Sequence, residues 1–189
     1  MKYNFSKYSD SELLRLIGEG KKAKDDAFNE LYNRYSKKIY FYCKKILGNE
    51  QQAEDVFHDV FINVVKSAGN RNIVNNVPGY LFKIARNLCL NVQRTVKPEL
   101  ISIDEISENE LYDRKQDDLE DLISSAIELL PHDQRESFVM QMYLGMTYNE
   151  IAITLEVPVS TVRNRIVRAK VRMKEFLSPF FEKRNVNSL

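Results

Sequence analysis

Apolar residues in this chain recur three and four positions apart, and no stretch of comparable length alternates them two apart. That spacing belongs to the α-helix, whose 3.6-residue turn brings i, i+3 and i+4 to one side. Phe28, Leu31, Tyr32, Tyr35, Ile39, Tyr42, Cys43 and Ile46 keep it in one run. Ala53, Val56, Phe57, Val60, Phe61 and Val64 keep it in the next, and Leu81, Ile84, Ala85, Leu88 and Val92 in a third. Only 6 Gly and 5 Pro punctuate 189 residues, so the helices are long and the turns few. The punctuation falls between the runs. Ser9 and Glu12 have capping-box spacing ahead of Leu13, Leu14 and Ile17. Gly48 suits the position just past a helix end, and Asn49 can cap the helix that follows. The stretch 67–76 reads as a polar loop, and Pro78 suits the first position of a fourth helix.

Net charge is +1, which excludes a uniformly basic nucleic-acid coat and an acidic disordered chain. The charges are nevertheless segregated. Residues 1–95 hold 16 Lys/Arg against 10 Asp/Glu, residues 96–130 hold 3 against 11, and residues 131–189 hold 9 against 6. Two basic blocks thus flank an acidic one, as in two polyanion-binding domains joined by an acidic connector. Residues 95–116 keep no sustained period and read as a linker. The second block begins near Asp117, with an apolar face of Leu119, Leu122, Ile123, Ala126, Ile127 and Leu130. Pro131 follows, then Phe138, Val139 and Met142, closed by Gly145. The expected fold class is all-α, with two small helical domains, 1–95 and 117–189, and a flexible acidic linker over 96–116.

The most informative motif lies at 147–174. Thr147 and Glu150 form a capping box for a short helix with Ile151, Ala152 and Leu155 inward. Glu156, Val157 and Pro158 break it. Ser160 can cap a second helix, with Val162, Ile166 and Ala169 inward. Two helices across a tight turn make a helix-turn-helix. Arg163, Asn164, Val167 and Arg168 then project together, and Arg163, Arg165, Arg168, Lys170, Arg172 and Lys174 follow one another without an acid. Arginine suits bidentate contact with guanine, and asparagine can read adenine. An ordinary helical hairpin with a solvated basic face is the alternative.

Opposite the stripe of the Ala53–Val64 run sit Asp55, His58, Asp59 and Ile62. They suit an acidic docking face with an exposed apolar anchor. Asp/His/Asp at i, i+3 and i+4 could instead converge on a metal ion, and plain solvated surface is the third possibility. Cys43 and Cys89 both lie in apolar periodic runs and read as buried reduced thiols, not as a disulfide or zinc framework. The first residues, MKYNFSKYSDSELLRL, carry no apolar signal region, and no run is long enough to span a bilayer. A cytoplasmic protein is expected.

The segments AFNELYNRYSKKIYFYCKKILGNEQQAEDVFHDVFINVV, GYLFKIARNLCLNVQR and LPHDQRESFVMQMYLGMTYNEIAITLEVPVSTVRNRIVRAKVRMKEFL resemble the extracytoplasmic-function (ECF) group of bacterial sigma factors in order and spacing. The resemblance implies an initiation subunit, without an enzymatic activity or a cofactor of its own. It implies docking on the clamp and flap of core RNA polymerase, promoter DNA as ligand, an anti-sigma partner and no membrane insertion. By position, Ser160, Thr161, Arg163, Asn164, Arg165, Val167, Arg168 and Arg172 fall on the helix that reads the −35 element. Lys83, Arg86, Asn87, Asn91 and Arg94 fall on the −10-reading helix, and Asn70 and Arg71 in the strand-capturing loop. Asp55, His58, Asp59 and Ile62 fall on the polymerase-docking helix. The acidic linker would pass through the catalytic cleft, where it deters premature contact with DNA.

Three residue choices depart from the family's habit. Glu156 stands in the turn where many relatives have Gly, at a cost on the order of 1 kcal/mol if φ is positive there. Val167 can offer only apolar contact, for instance to a thymine methyl. The chain has no Trp, so any stacking on single-stranded bases near the −10 element uses Tyr or Phe, or is replaced by polar capture. Two other classes stay open on the residues alone: a conventional DNA-binding activator or repressor, which needs no docking face, and a helical metalloenzyme centred on Asp55, His58 and Asp59.

Overall fold

The computed structural model describes residues 5–19, 23–68, 74, 76–95 and 119–186. A 3-10 turn at Phe5–Lys7 precedes α1 (Asp10–Gly18), α2 (Lys24–Leu47), α3 (Glu50–Ser67) and α4 (Val77–Thr95). After the linker come α5 (Leu119–Glu128), α6 (His132–Met142), α7 (Tyr148–Leu155) and α8 (Val159–Val186). The described residues hold no strand.

The helix ends follow local chemistry. The Ser9 side chain accepts from the Glu12 amide while the Glu12 carboxylate takes the Ser9 amide at 2.7 Å, so α1 opens on a complete capping box. Gly48 ends α2 at φ 66°, a left-handed conformation that costs glycine nothing. Asn49 then caps α3 through the Gln52 amide, 2.9 Å away. Pro78 is the second residue of α4, not its first, and the helix is capped by Asn76, whose Oδ1 accepts from the Gly79 amide at 2.9 Å. A Cβ on Gly79 would lie 2.8 Å from the Asn76 side-chain nitrogen, so a larger residue there would make the capping side chain shift.

In the first half, α2, α3 and α4 pack around one core, with α1 laid across α2. The α3 stripe expected from the sequence is buried at every position. On α4 the buried residues are Val77, Leu81, Phe82, Ala85 and Cys89, while Ile84, Leu88 and Val92 are only half-buried. The inner face is therefore turned from the expected one, because α4 is covered by α2 and α3 on one side and by α7 on another.

The second half repeats the pattern with a smaller core. Ala126, Ile127 and Leu130 close α5, while Leu119 stays exposed. On α6 the buried residues are Glu136, Ser137, Phe138, Val139 and Met140, and Met142 is exposed, contrary to its expected inward place. Val162, Ile166 and Ala169 of α8 are fully buried against α6 and α7.

The two halves meet along a seam in which α2 faces α6 and α4 faces α7. Phe41 stacks on Tyr143 with ring centroids 4.5 Å apart. Lys45, almost wholly buried, donates to Ser124 and lies 3.3 Å from Glu128. Tyr42 donates to Glu136 at 2.8 Å.

Candidate nucleic-acid and polymerase interfaces

Helix α7 opens on a second capping box, with Thr147 and Glu150 in the two reciprocal roles. It ends at Glu156, which sits at φ 57° and ψ 43°. This is the only non-glycine with positive φ among the described residues. The Val157 amide returns to the Ala152 carbonyl at 3.1 Å, the wrap that a left-handed C-terminal residue permits. Helix α8 begins at Val159, one residue before the expected cap. The Pro158 carbonyl accepts from the Thr161 and Val162 amides, so Ser160 stands exposed inside the first turn and caps nothing. The proline ring presets the turn, and the helix starts as soon as its carbonyl is available.

Along α8, Arg163, Asn164, Val167, Arg168 and Arg172 are exposed, on the side opposite the buried Val162, Ile166 and Ala169. Val167 is 53% exposed, and Val171, one turn further on, is exposed as well. Thr161 is half-buried. Arg165 stands apart from this group, because its guanidinium pairs with Asp133 of α6. Three cations, one amide and one valine thus face solvent on a helix whose other side is locked into the core.

On α4, Lys83, Asn87, Asn91 and Arg94 are exposed at i, i+4, i+8 and i+11, which is one side of the helix. Arg86 is off that line. It turns into the seam and donates through Nε to the Glu136 carboxylate at 3.0 Å. Lys83 also reaches across the seam, where its Nζ lies 2.8 Å from Glu156. That contact holds the Glu156 carboxyl below the ordinary glutamate range, first through the hydrogen bond and then through the charge of Lys83. Asn70, Arg71 and the linker 96–116 lie outside the described residues.

On α3, Asp55, His58, Asp59 and Ile62 are all exposed, and Ile62 is 48% so. Beneath them Phe57 and Phe61 pack on Tyr32 and on each other, and His58 meets Phe57 edge-on at 5.2 Å. The face is rigidly backed and free of the seam. Among the described residues no three His, Cys, Asp or Glu side chains converge as metal ligands would. No helix of the described residues is long and apolar enough to cross a membrane.

Sequence reasoning overlooked Glu136. Charged side chains are almost never fully buried unless paired, yet this one is 2% exposed, between Tyr42 and Arg86. Burial, followed by the charge of Glu136, drives the Tyr42 phenol well above its usual range, so it remains a neutral donor. Nothing in the sequence near Glu136 signals this. Only its partners, 94 and 50 residues away, explain it.

Residues 31–97 match the family model for sigma-70 region 2, and residues 120–173 match that for sigma-70 region 4. The ECF RNA polymerase sigma factor SigW of Bacillus subtilis is 28% identical over 176 residues, which is 85% of this chain and 94% of that protein. The RNA polymerase sigma-H factor of Pseudomonas aeruginosa is 28% identical over 185 residues, or 90% of this chain and 94% of its own. In fold, the chain is similar to CnrH in a complex with the cytosolic domain of CnrY. The TM-score is 0.68 at 20% identity, covering 90% of this chain and 97% of that one. It is also similar to the Bartonella quintana sigma factor RpoE bound to the anti-sigma factor NepR, with a TM-score of 0.64 at 20% identity, covering 80% and 96%.

Proposed function

Because this chain belongs to the ECF group of RNA polymerase sigma factors and directs promoter-specific transcription initiation with core polymerase, we propose that three of its helix faces divide that work. Residues 117–189 read the −35 element, with Arg163, Asn164, Val167 and Arg168 of α8 in the major groove. Ser160, Thr161, Arg165 and Arg172 are placed on the flanking phosphates. Residues 1–95 dock on the polymerase through Asp55, His58, Asp59 and Ile62. The same block meets the −10 element through Lys83, Arg86, Asn87, Asn91 and Arg94 of α4, with Asn70 and Arg71 in the strand-capturing loop.

The observation that carries this reading is the two-sidedness of α8. Val162, Ile166 and Ala169 are fully buried, and Arg163, Asn164, Val167 and Arg168 stand exposed behind them. A helix anchored that way presents a fixed set of side chains, which base readout needs, since phosphate contact alone carries no sequence information. The chain works as a subunit in the cytoplasm, with no reaction of its own. Relatives of similar fold are known bound to CnrY and to NepR, and an anti-sigma partner of that kind is proposed here too. Run-off transcription with purified core polymerase on a promoter library tests the whole assignment. A shared −35 and −10 sequence among the active promoters is the expected result. No transcription beyond that of core enzyme alone would overturn it.

A further inference from the structure

We propose that Glu136 and Glu156 form an internal clasp that holds the free protein closed by taking up two cationic groups of α4 in place of nucleic acid. The inference rests on the reading of α4 as the −10-facing helix. Of the five residues assigned to that helix face, Arg86 and Lys83 are the ones bound across the seam, each by a glutamate of the second half. Asn87, Asn91 and Arg94 stay exposed. A carboxylate offers a guanidinium the kind of charged oxygen acceptor that a phosphate does, so clasp and backbone compete for the same groups.

The two pairs differ in weight. Lys83–Glu156 is exposed on both sides, and water screens it heavily. Arg86–Glu136 is the effective lock. Glu136 is buried and accepts from both Arg86 and Tyr42. Removing one member of such a pair leaves a buried charge unmatched, which disfavours the closed state. The docking face on α3 and the reading face on α8 are both clear of the seam. Polymerase and the −35 element can therefore engage the closed protein, and Arg86 and Lys83 of α4 become available only when the halves part.

The test compares the free full-length protein with Glu136→Gln/Glu156→Gln, which removes both charges and nearly keeps both shapes, and with Phe41→Ala, which loosens the seam without changing charge. Small-angle scattering reads the separation of the halves. Fluorescence anisotropy reads binding of a short labelled single-stranded DNA, and far-UV circular dichroism confirms the fold. If about one molecule in ten is open, release raises apparent affinity by about tenfold. Both variants are expected to expand and to bind that much more tightly, and adding Arg86→Ala is expected to abolish the gain. The Phe41→Ala arm separates release from the general attraction gained by deleting two acids. Native helicity with parental scattering in the double variant would overturn the clasp and leave the assignment of α4 untouched. Expansion of both variants with parental affinity would overturn the assignment of α4, and the clasp with it.

Discussion

The Arg34 guanidinium lies 2.8 Å from the Asp10 carboxylate, and the two tie the start of the chain to the middle of α2. Arg34 also donates to Glu30 and to the carbonyls of Phe5, Ser6 and Tyr8, and Tyr35 donates to the other oxygen of Asp10. One side chain thereby closes the 3-10 turn that buries Phe5. Arg34→Ala should destabilise the protein by about 2–3 kcal/mol, as expected for loss of several charge-assisted bonds at a partly buried site. Urea titration followed by circular dichroism measures it. A change within 0.5 kcal/mol of zero would show the network to be decorative.

Glu156 carries a backbone cost that glycine would not. At φ 57° a side chain opposes the turn, so Glu156→Gly should stabilise the isolated protein, because the exposed pair with Lys83 is heavily screened. Equilibrium unfolding at neutral pH reads the outcome, and a lower stability would mean that the pair outweighs the strain.

The same carboxylate supplies a pH signature. Lys83 depresses the Glu156 pKa in the folded protein. Its contribution is therefore present above the unfolded glutamate pKa and is lost as pH falls through the depressed folded value. Carbon-detected NMR titration should place Glu156 below the ordinary glutamate range, and Lys83→Ala should return it upward. An unmoved titration in that variant would remove Lys83 as the cause.

The docking assignment predicts a clean separation of binding from folding. Asp55→Lys with Asp59→Lys alters two exposed residues off the buried stripe, so helicity and melting should stay unchanged. Attraction to a partner surface becomes repulsion, and co-purification with core polymerase should be lost. Retained co-purification would locate docking elsewhere.

The α8 assignment predicts different consequences for neighbouring arginines. Arg163→Ala and Arg168→Ala should change the preferred −35 base, by roughly 1–3 kcal/mol of discrimination each. Arg172→Ala, a turn further on, should lower output evenly across all −35 variants. Transcription from every single-base variant, for each mutant, distinguishes them. A uniform fall for Arg163→Ala or Arg168→Ala would contradict groove reading.

Legibility in the sequence tracked how many neighbours each helix has. Helix α3 buries one side, so Ala53, Val56, Phe57, Val60, Phe61 and Val64 announce it by spacing alone. The capping boxes at Ser9 and Thr147, and the glycine at 48, act within a few residues and were readable for the same reason. Helix α4 is covered from more than one direction, so its inner face centres on Leu81, Phe82, Ala85 and Cys89 and not on the stripe with the simplest period. Helix α6 faces both α8 and α2, so its buried set, Glu136 to Met140, is a continuous run with no stripe at all. The seam was invisible because an acid at 136 acquires meaning only beside an arginine at 86 and a tyrosine at 42. The faces on α3 and α8 were readable because exposed side chains opposite a regular stripe follow from helix geometry.

The cysteines of the first core give the molecule a gauge of its own integrity. Cys43 and Cys89 are fully buried, on α2 and α4. Their mutual hydrogen bond, followed by burial, pushes the Cys89 thiol far above its usual range. A buried, inaccessible sulfur does not react with alkylating reagents. The rate at which such a reagent consumes these two sulfurs therefore counts the excursions in which α2 and α4 come apart. Probe chemistry on cysteines introduced at the surface can proceed meanwhile with the native pair left in place.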